Sequence, residues 1–342
     1  MVLPQAGRRE ALLQAKCKAL VRSRWGDLVD ADGAVTSSLP GGAALVAPEV
    51  ATAWVLAEDH PERILGAALA WADRHGAAHL HVLATGGAGA IARRATGFAR
   101  DVTVWPLTGA TTSLADAEPA TADPLPAEPP ADPSTEPFIA LIERAGAEAV
   151  VEAGILRAEV RGLEVARVEV DDEGPHLAVG VGKHDREAQR EIRGRGHGVD
   201  ELFEVVRIVA EHRIAEGAGH AAYHLAPERW LRSVVVRRPD LIGAANLHVR
   251  PSPVRREDLR QAAAAPAAGQ DPDGAPVVAV CSVGTDADLV PSAVAAWLAD
   301  GRQARLVVCV PRGDDHRMTR ELVAALRVPA ELRTVPPEWR TF

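Results

Sequence analysis

Both ends of the chain alternate short, continuous apolar runs with amphipathic segments of helical period, and this alternation constrains the fold more than any other feature. Near the N-terminus the apolar runs lie at 52–58, 79–84 and 102–107, with helix-like segments between them and an additional run at 43–48. Strands that are apolar along their whole length are buried on both faces of a sheet. The order therefore predicts parallel strands joined by right-handed crossover helices, which is a strand–helix–strand–helix–strand (βαβαβ) unit.

The C-terminal end of the chain has the same order. Apolar runs at 277–282, 305–310 and 331–336 alternate with two helix-like segments, and Trp71 and Trp297 each lie nine residues before a leucine of the next strand. An internal duplication, or one sheet built from both ends, explains this correspondence. The narrow range of loop lengths common to all such units explains it equally well.

Two segments that cannot contribute to a core separate these ends from the middle of the chain. Residues 108–136 contain six prolines and six acidic residues, with no lysine or arginine, and are predicted to form a disordered linker. The stretch 251–276, rich in alanine, proline and charge, is predicted to be a second linker. The predicted folded pieces are therefore 1–107, 137–250 and 277–342.

The middle piece has a different pattern. Apolar alternation over 150–160, 162–170 and 176–182, with a turn at 171–175, predicts an antiparallel meander that follows a helix at 138–146. Further helices are predicted to begin near residues 185, 200 and 227, before a strand at 245–249. The expected fold class is α/β, with two parallel three- or four-stranded βαβαβ units flanking a mixed α+β middle domain.

Composition and charge restrict the class of protein. The chain is 47% hydrophobic and 25% charged, has a net charge of −9, and contains only three cysteines. No apolar run reaches the roughly 18 residues of a membrane span, so we expect a cytoplasmic protein without a membrane partner or a disulfide framework. No cysteine or histidine spacing predicts a metal site. Only three of the 38 basic residues are lysine, which indicates a GC-rich bacterial genome.

A glycine-rich loop after the second N-terminal strand is the first candidate ligand site. Gly86, Gly87 and Gly89 lie between a predicted strand and a predicted helix. Glycines at this position let backbone N–H groups approach a phosphate at the positive end of the helix. The following strand lacks the acidic residue that would bind a ribose, so a purely structural turn is the alternative.

The loop after the first C-terminal strand is the second candidate. It carries Ser282, Thr285, Asp286 and Asp288 at the carboxyl end of a predicted strand, where α/β proteins bind ligands. These side chains suit a ribose, a metal or a polar substrate. Alternatively, they cap the next helix and complement its dipole.

Carboxylates on the predicted meander are the candidate catalytic groups. Glu159 and Glu164 lie on adjacent strands, and Lys183 and Asp185 follow the third strand. This layout resembles the restriction-endonuclease-like core, in which strand carboxylates hold a divalent cation. The acid-x-Lys pattern of that family is absent, because Val181 precedes Lys183 by two residues. The alternative is a solvated charged face.

These observations predict a protein that binds a phosphate-bearing ligand, either a nucleotide or a nucleic acid, at its strand-end loops. One alternative is a metal-dependent nuclease or its inactive descendant. Another is an interaction scaffold, which would have no ordered pocket. Nucleophile-elbow, Walker, HExxH and paired CxxC motifs are absent, so the sequence identifies neither a cofactor nor a reaction.

Overall fold

The computed structural model describes residues 5–26, 28, 33–109, 113–183, 185–187, 198–252, 261–301 and 303–342. These residues form two compact units. Unit 1 comprises Met1–Leu125, Ala287–Ala295 and His316–Ala330, and unit 2 comprises Pro126–Asp286, Ala296–Asp315 and Glu331–Phe342. The described chain contains two five-stranded sheets and one four-stranded sheet, with parallel and antiparallel pairs. The predicted mixture of helices and strands is confirmed.

Unit 1 contains the first five-stranded sheet. Its strands, in spatial order, are β1 (Val35–Leu39), β2 (Gly42–Ala47), β3 (Thr52–Ala57), β4 (His79–Ala84) and β5 (Asp101–Pro106). The strands β3, β4 and β5 are parallel, whereas β1 and β2 are antiparallel neighbours that extend the sheet beyond the expected three or four strands. The extension follows from a tight turn at Gly41, whose φ of 76° favours glycine.

The helices in the N-terminal part of unit 1 are α1 (Gln5–Trp25), α2 (Leu65–Arg74) and α3 (Ala88–Ala95). Every residue of β2 and β3 is buried, as continuous apolar strands require. Leu45, Trp54 and Leu56 pack in one cluster with Leu20 of α1. Burial of such side chains stabilises the unit by about 25 cal/mol per Å² of apolar surface.

Residues from the C-terminal part of the chain complete unit 1. Gly97 lies against Val294, and a Cβ at Gly97 would be 2.5 Å from Cγ1 of that side chain. The backbone N–H of Ala99 donates to the carbonyl of Ala325, and that of Arg327 donates to the carbonyl of Gly97, both at 2.8 Å. These contacts place residues 287–295 and 316–330 with the N-terminal sheet, a grouping that the three predicted pieces do not contain.

Unit 2 contains the second five-stranded sheet. Its strands, in spatial order, are β10 (Asn246–Val249), β11 (Ala265–Gln270), β12 (Pro276–Cys281), β13 (Arg305–Pro311) and β14 (Ala330–Val335). β11 is antiparallel to both of its neighbours, and β12 is parallel to β13. In both five-stranded sheets the strands that come first in the chain are antiparallel and are followed by parallel strands. An origin of the two sheets by duplication stays a prediction. The remaining C-terminal helices are α8 (Leu289–Ala299) and α9 (Arg317–Ala324).

β11 corrects the prediction that residues 251–276 form a linker. Its sequence, APAAGQ, has low strand propensity because alanine, proline and glycine offer little side-chain surface to a sheet. Pairing on both sides with β10 and β12 nevertheless buries its first four residues. Residues 253–260 of the predicted linker lie outside the described part of the chain.

The four-stranded sheet of unit 2 comprises β6 (Glu148–Glu152), β7 (Ile155–Val160), β8 (Leu163–Asp171) and β9 (Gly174–Val179), all antiparallel. The sequence predicted a single strand over 150–160. Ala153 and Gly154 instead have φ of 53° and 75° and form a two-residue hairpin turn that divides it.

Among the described residues of unit 2, three helices accompany this sheet: α4 (Pro137–Arg144), α5 (Gly198–His212) and α6 (Ala221–His224). A further helix, α7 (Pro227–Arg237), packs on the five-stranded sheet of unit 2, where Trp230 and Val234 lie in one cluster with Val277. Leu202, Val206 and Val209 of α5 lie one helical turn apart and pack on the sheet, as their spacing predicts. Residues 188–197, which include part of a predicted helix, lie outside the described part of the chain.

The acidic proline-rich segment is extended, without regular secondary structure over residues 113–132. It nevertheless makes specific contacts with unit 1. Leu114 is buried in the same cluster as Leu45, and the guanidinium of Arg24 donates to the carbonyls of Leu114 and Ala117. The backbone N–H of Ala120 donates to the carbonyl of Val104 on β5 at 2.7 Å. Residues 110–112 of this segment are outside the described residues.

Candidate ligand-binding site

The glycine-rich loop at the start of α3 is covered by the chain's own carboxylate. Gly87 is left-handed, with φ of 62°, and begins the helix. The side chain of Asp123 lies against Gly89 and leaves no room for a Cβ there, while the Asp123 N–H donates to the Gly89 carbonyl at 3.1 Å. Arg93 donates to the carbonyls of Asp123 and Pro124. A phosphate at this loop would therefore face a negative charge.

The loop that follows β12 is stabilised by two carboxylates. Ser282 Oγ donates to Asp286 Oδ2 at 3.2 Å, and the Gly284 N–H donates to Asp314 Oδ2 at 2.7 Å. Ser282 and Asp286 are buried, whereas Thr285 is exposed. The loop presents acidic groups, so it also disfavours an anion.

Asp288 belongs to an ion cluster within unit 1. Its carboxylate lies 3.2 Å from Arg94 Nη1 and 3.9 Å from Arg63 Nε, and it accepts a hydrogen bond from Ser292 Oγ. Burial lowers the pKa of Arg94, and the charge of Asp288 opposes that shift. Asp288 therefore stabilises the fold through its ion pairs and its hydrogen bond with Ser292. This role is close to the alternative in which the loop side chains support the next helix.

The candidate catalytic residues Glu159 and Glu164 lie directly opposite each other on β7 and β8. Glu159 is 1% exposed and lies 2.9 Å from both Arg229 Nη1 and Arg232 Nη2. The carboxylate of Glu164 is bound by three guanidiniums, those of Arg157, Arg167 and Arg186. These carboxylates are thus neutralised by arginine, which cannot act as a metal ligand or give up its proton.

Glu152 extends the same network. Its carboxylate lies 2.5 Å from Arg229 Nη2 and 3.0 Å from Arg157 Nη1, and it accepts a hydrogen bond from the Ser252 N–H at 3.1 Å. Interactions with Arg229 and Arg157 hold the pKa of Glu152 below its ordinary value although burial opposes this. We call Glu152, Glu159, Glu164 and the arginines bound to them the buried ionic network.

Lys183 and Asp185 do not join this network. The Lys183 side chain is 79% exposed and lies 3.7 Å from Glu187. Asp185 Oδ2 accepts a hydrogen bond from the Val181 N–H at 2.7 Å. Within the described residues, no group of three or more potential metal ligands occurs.

A cavity of about 660 Å³ lies elsewhere in unit 2, among β6, the end of α7 and the chain that follows β10. Its charged lining comprises three basic side chains, Arg237, His248 and Arg250, and two acidic ones, Glu128 and Glu148. Arg237 Nη2 donates to the Phe342 carbonyl at 3.3 Å, and Arg250 Nη2 is 3.7 Å from Asp300. The exposed basic groups retain donors that face solvent, because a guanidinium has five N–H groups.

The remaining wall of the cavity is apolar. It consists mainly of Val150 and Val151 of β6, Val236 of α7 and Val249 of β10. A cavity with an apolar wall and a few polar groups is the usual architecture of a small-molecule site.

Glu148 connects the cavity with the buried ionic network. It lies directly opposite Glu159 in the β6–β7 register. Burial raises the pKa of Glu148, and the charges of Arg237 and Arg232 oppose this shift. Arg232 is 1% exposed, and its Nε and Nη1 have no hydrogen-bond partner among the described residues. The charge of Arg232 is paired with Glu159, and two of its guanidinium nitrogens lack a hydrogen-bond partner in the described part of the chain.

None of the cavity residues was a sequence-based candidate. One available signal is the spacing of His248, on the predicted strand 245–249, and Arg250, directly after it: residues two apart along extended chain face the same side. Arg237 and Glu148 meet them only through the tertiary fold.

Comparison of the chain with protein-family models, curated proteins and solved structures yields no match. Among the described helices, none is both long enough and apolar enough to cross a membrane.

Proposed function

We propose that this protein binds a small phosphate-bearing molecule in the cavity of unit 2. The observation that carries the proposal is the placement of Arg237, His248 and Arg250 around a single cavity of about 660 Å³. Arginine donates several hydrogen bonds to phosphate oxygens in a fixed planar geometry. The cavity volume lies within the range of roughly 300–1,000 Å³ found for small-molecule sites.

Arg237 and Arg250 favour this cavity over the two strand-end loops predicted from the sequence, although the carboxyls of Glu128 and Glu148 also line it. The loop at Gly86–Gly89 faces the Asp123 carboxylate, and the loop after β12 contains Asp286 and bonds to Asp314. An anion at either loop would be repelled at short range. The ligand class therefore stays as predicted, while the proposed site moves.

The alternatives receive less support. A metal-dependent nuclease needs carboxylates that are free to bind a cation, whereas Glu159 and Glu164 are bound by arginines. An interaction scaffold predicts that none of the phosphate compounds binds, so the binding experiment also decides this alternative.

Isothermal titration calorimetry on the full chain tests the proposal. We expect binding of nucleoside monophosphates, sugar phosphates or inorganic phosphate, and a loss of affinity of at least about tenfold in the double variant Arg237→Ala/Arg250→Ala, since each charge-assisted hydrogen bond contributes roughly 1.5 kcal/mol or more. Arg317→Ala is the matched control, because Arg317 is exposed and pairs only with Glu321 among the described residues. Equal affinities for the wild type and the double variant would exclude this cavity.

A short oligonucleotide forms a further arm of the experiment. Binding whose affinity falls steeply with salt and survives the double variant would indicate a nucleic-acid surface outside the cavity. That outcome would also contradict the proposal.

A further inference from the structure

We infer that the ligand of this cavity carries hydroxyl groups beside its phosphate, as a phosphorylated sugar does, and that Glu148 is the side chain that recognises them. The inference rests on the proposed function and specifies its ligand class. A phosphorylated sugar occurs either alone or as part of a nucleotide, and the experiment below separates these two sources.

The position of Glu148 is the first step. It is a partly buried carboxyl in the cavity wall, and it makes no hydrogen bond or ion pair with any described residue. Its neighbour across the strand pair, Glu159, is occupied by Arg229 and Arg232. Glu148 therefore lies next to the buried ionic network, is attracted by the charges of Arg237 and Arg232, and forms no hydrogen bond with a described residue.

Glu148 is only partly buried, so water can reach its carboxyl in the free protein. A ligand that fills the cavity displaces this water, and a carboxyl that loses water without gaining a hydrogen bond is destabilising, so the ligand must supply a partner. The phosphate cannot do so, because its charged oxygens accept hydrogen bonds and repel a carboxylate. The valines of the apolar wall have no polar atoms. A donor elsewhere on the ligand is therefore required.

The surrounding charges select the kind of donor. Arg237 and Arg250 line the cavity together with Glu128, and the charge of Arg232 acts on Glu148. The three guanidiniums outnumber the two carboxyls, so an ammonium group on the ligand is disfavoured. A hydroxyl is neutral and can both donate and accept, so it pairs with Glu148 whether that group is ionised or protonated. Alcohol hydroxyls beside a phosphate are the defining feature of sugar phosphates, and inorganic phosphate has no alcohol hydroxyl.

Calorimetry with four probes tests the inference on the full chain: inorganic phosphate, ribose 5-phosphate, a ribonucleoside monophosphate and its unphosphorylated nucleoside. We expect ribose 5-phosphate or the nucleotide to bind at least about tenfold more tightly than inorganic phosphate, the value of roughly one hydrogen bond to a charged group. Preference for the nucleotide over ribose 5-phosphate would identify the nucleotide as the source.

Two variants assign the preference to Glu148. Glu148→Ala should abolish it and leave the affinity for inorganic phosphate unchanged or higher, because a negative charge is removed. Glu148→Gln should retain part of it, since an amide also donates and accepts. Glu211→Ala is the control, because Glu211 is exposed and pairs with Arg207. Thermal unfolding provides a second readout, since removal of an unpartnered carboxyl should leave Tm unchanged or raise it.

The outcomes separate the inference from the proposed function. If all phosphates bind equally and lose affinity only in Arg237→Ala/Arg250→Ala, the phosphate site stands and the hydroxyl inference is wrong. If Glu148→Ala weakens every probe by the same factor, Glu148 has no role in selectivity and the inference again fails. If no phosphate compound binds the wild type, both are overturned.

Discussion

Removal of the Glu159 carboxylate provides the most direct measure of the buried ionic network. Glu159 is the single carboxylate that pairs with Arg232 among the described residues, and both side chains are 1% exposed. Arg229 would keep its contact with Glu152 in Glu159→Gln. The cost therefore falls mainly on Arg232, which would become a buried, uncompensated charge.

The expected loss of stability in Glu159→Gln follows from the burial of Arg232. Breaking a buried ion pair by removing one partner costs about 3–5 kcal/mol, because the remaining charge stays out of water. Arg232 already has two N–H groups without partners, so no second acceptor is at hand. A loss of this size is a large fraction of the roughly 5–15 kcal/mol that stabilises a typical domain.

Urea unfolding followed by circular dichroism measures the effect. Glu159→Gln should lower the free energy of unfolding by about 3 kcal/mol or more, whereas Glu211→Gln, in an exposed ion pair, should change it by less than about 0.5 kcal/mol. The double variant Glu159→Leu/Arg232→Met should recover most of the loss, since replacement of both charges by apolar groups is often neutral. A loss below about 1 kcal/mol in Glu159→Gln, or strict additivity in the double variant, would refute the assigned network.

Two further predictions concern unit 1. Burial lowers the pKa of His81, which packs among Trp25, Trp54 and Trp105, to about 4. The unfolded chain therefore takes up the proton first, and the stability present above about pH 6.5 should be lost as the pH falls towards 4. Solvent screening at this partly exposed ring reduces the expected loss of stability to about 1–2 kcal/mol. Urea midpoints at pH 7 and pH 4.5 measure this loss. His81→Phe should remove this part of the pH dependence. Gly97→Ala should destabilise the protein by about 1–3 kcal/mol, because the added Cβ would meet Val294. Gly313→Ala is the control, since nothing lies within 4 Å of a Cβ at that position. Equal urea midpoints for the two variants would show that the contact with Val294 does not limit the space at Gly97.

The two strand-end loops stay predictions as ligand sites, and the structure adds the groups that lie against them. Gly86–Gly89 and the loop after β12 have the local features of ligand loops, because strand–turn–helix patterns are visible over ten or so residues. The groups that occupy these loops, Asp123 and Asp314, lie about 30 residues away along the chain. A local sequence pattern predicts a loop in which a ligand could bind. It does not predict which distant side chain of the same protein lies against that loop.

The sequence alone determined the alternation of strands and helices, and with it the parallel arrangement of β3, β4 and β5. Strands that are buried on both faces appear in the sequence as continuous apolar runs, which can be recognised without the tertiary structure. It did not reveal β11, whose alanine-rich residues become a strand only through pairing with β10 and β12. The tertiary structure alone decided the grouping of residues 287–295 and 316–330 with the N-terminal sheet, and the meeting of Glu148 with Arg237, His248 and Arg250. Contacts between residues so distant in the chain depend on packing geometry, and packing leaves no repeat in the sequence from which it could be predicted.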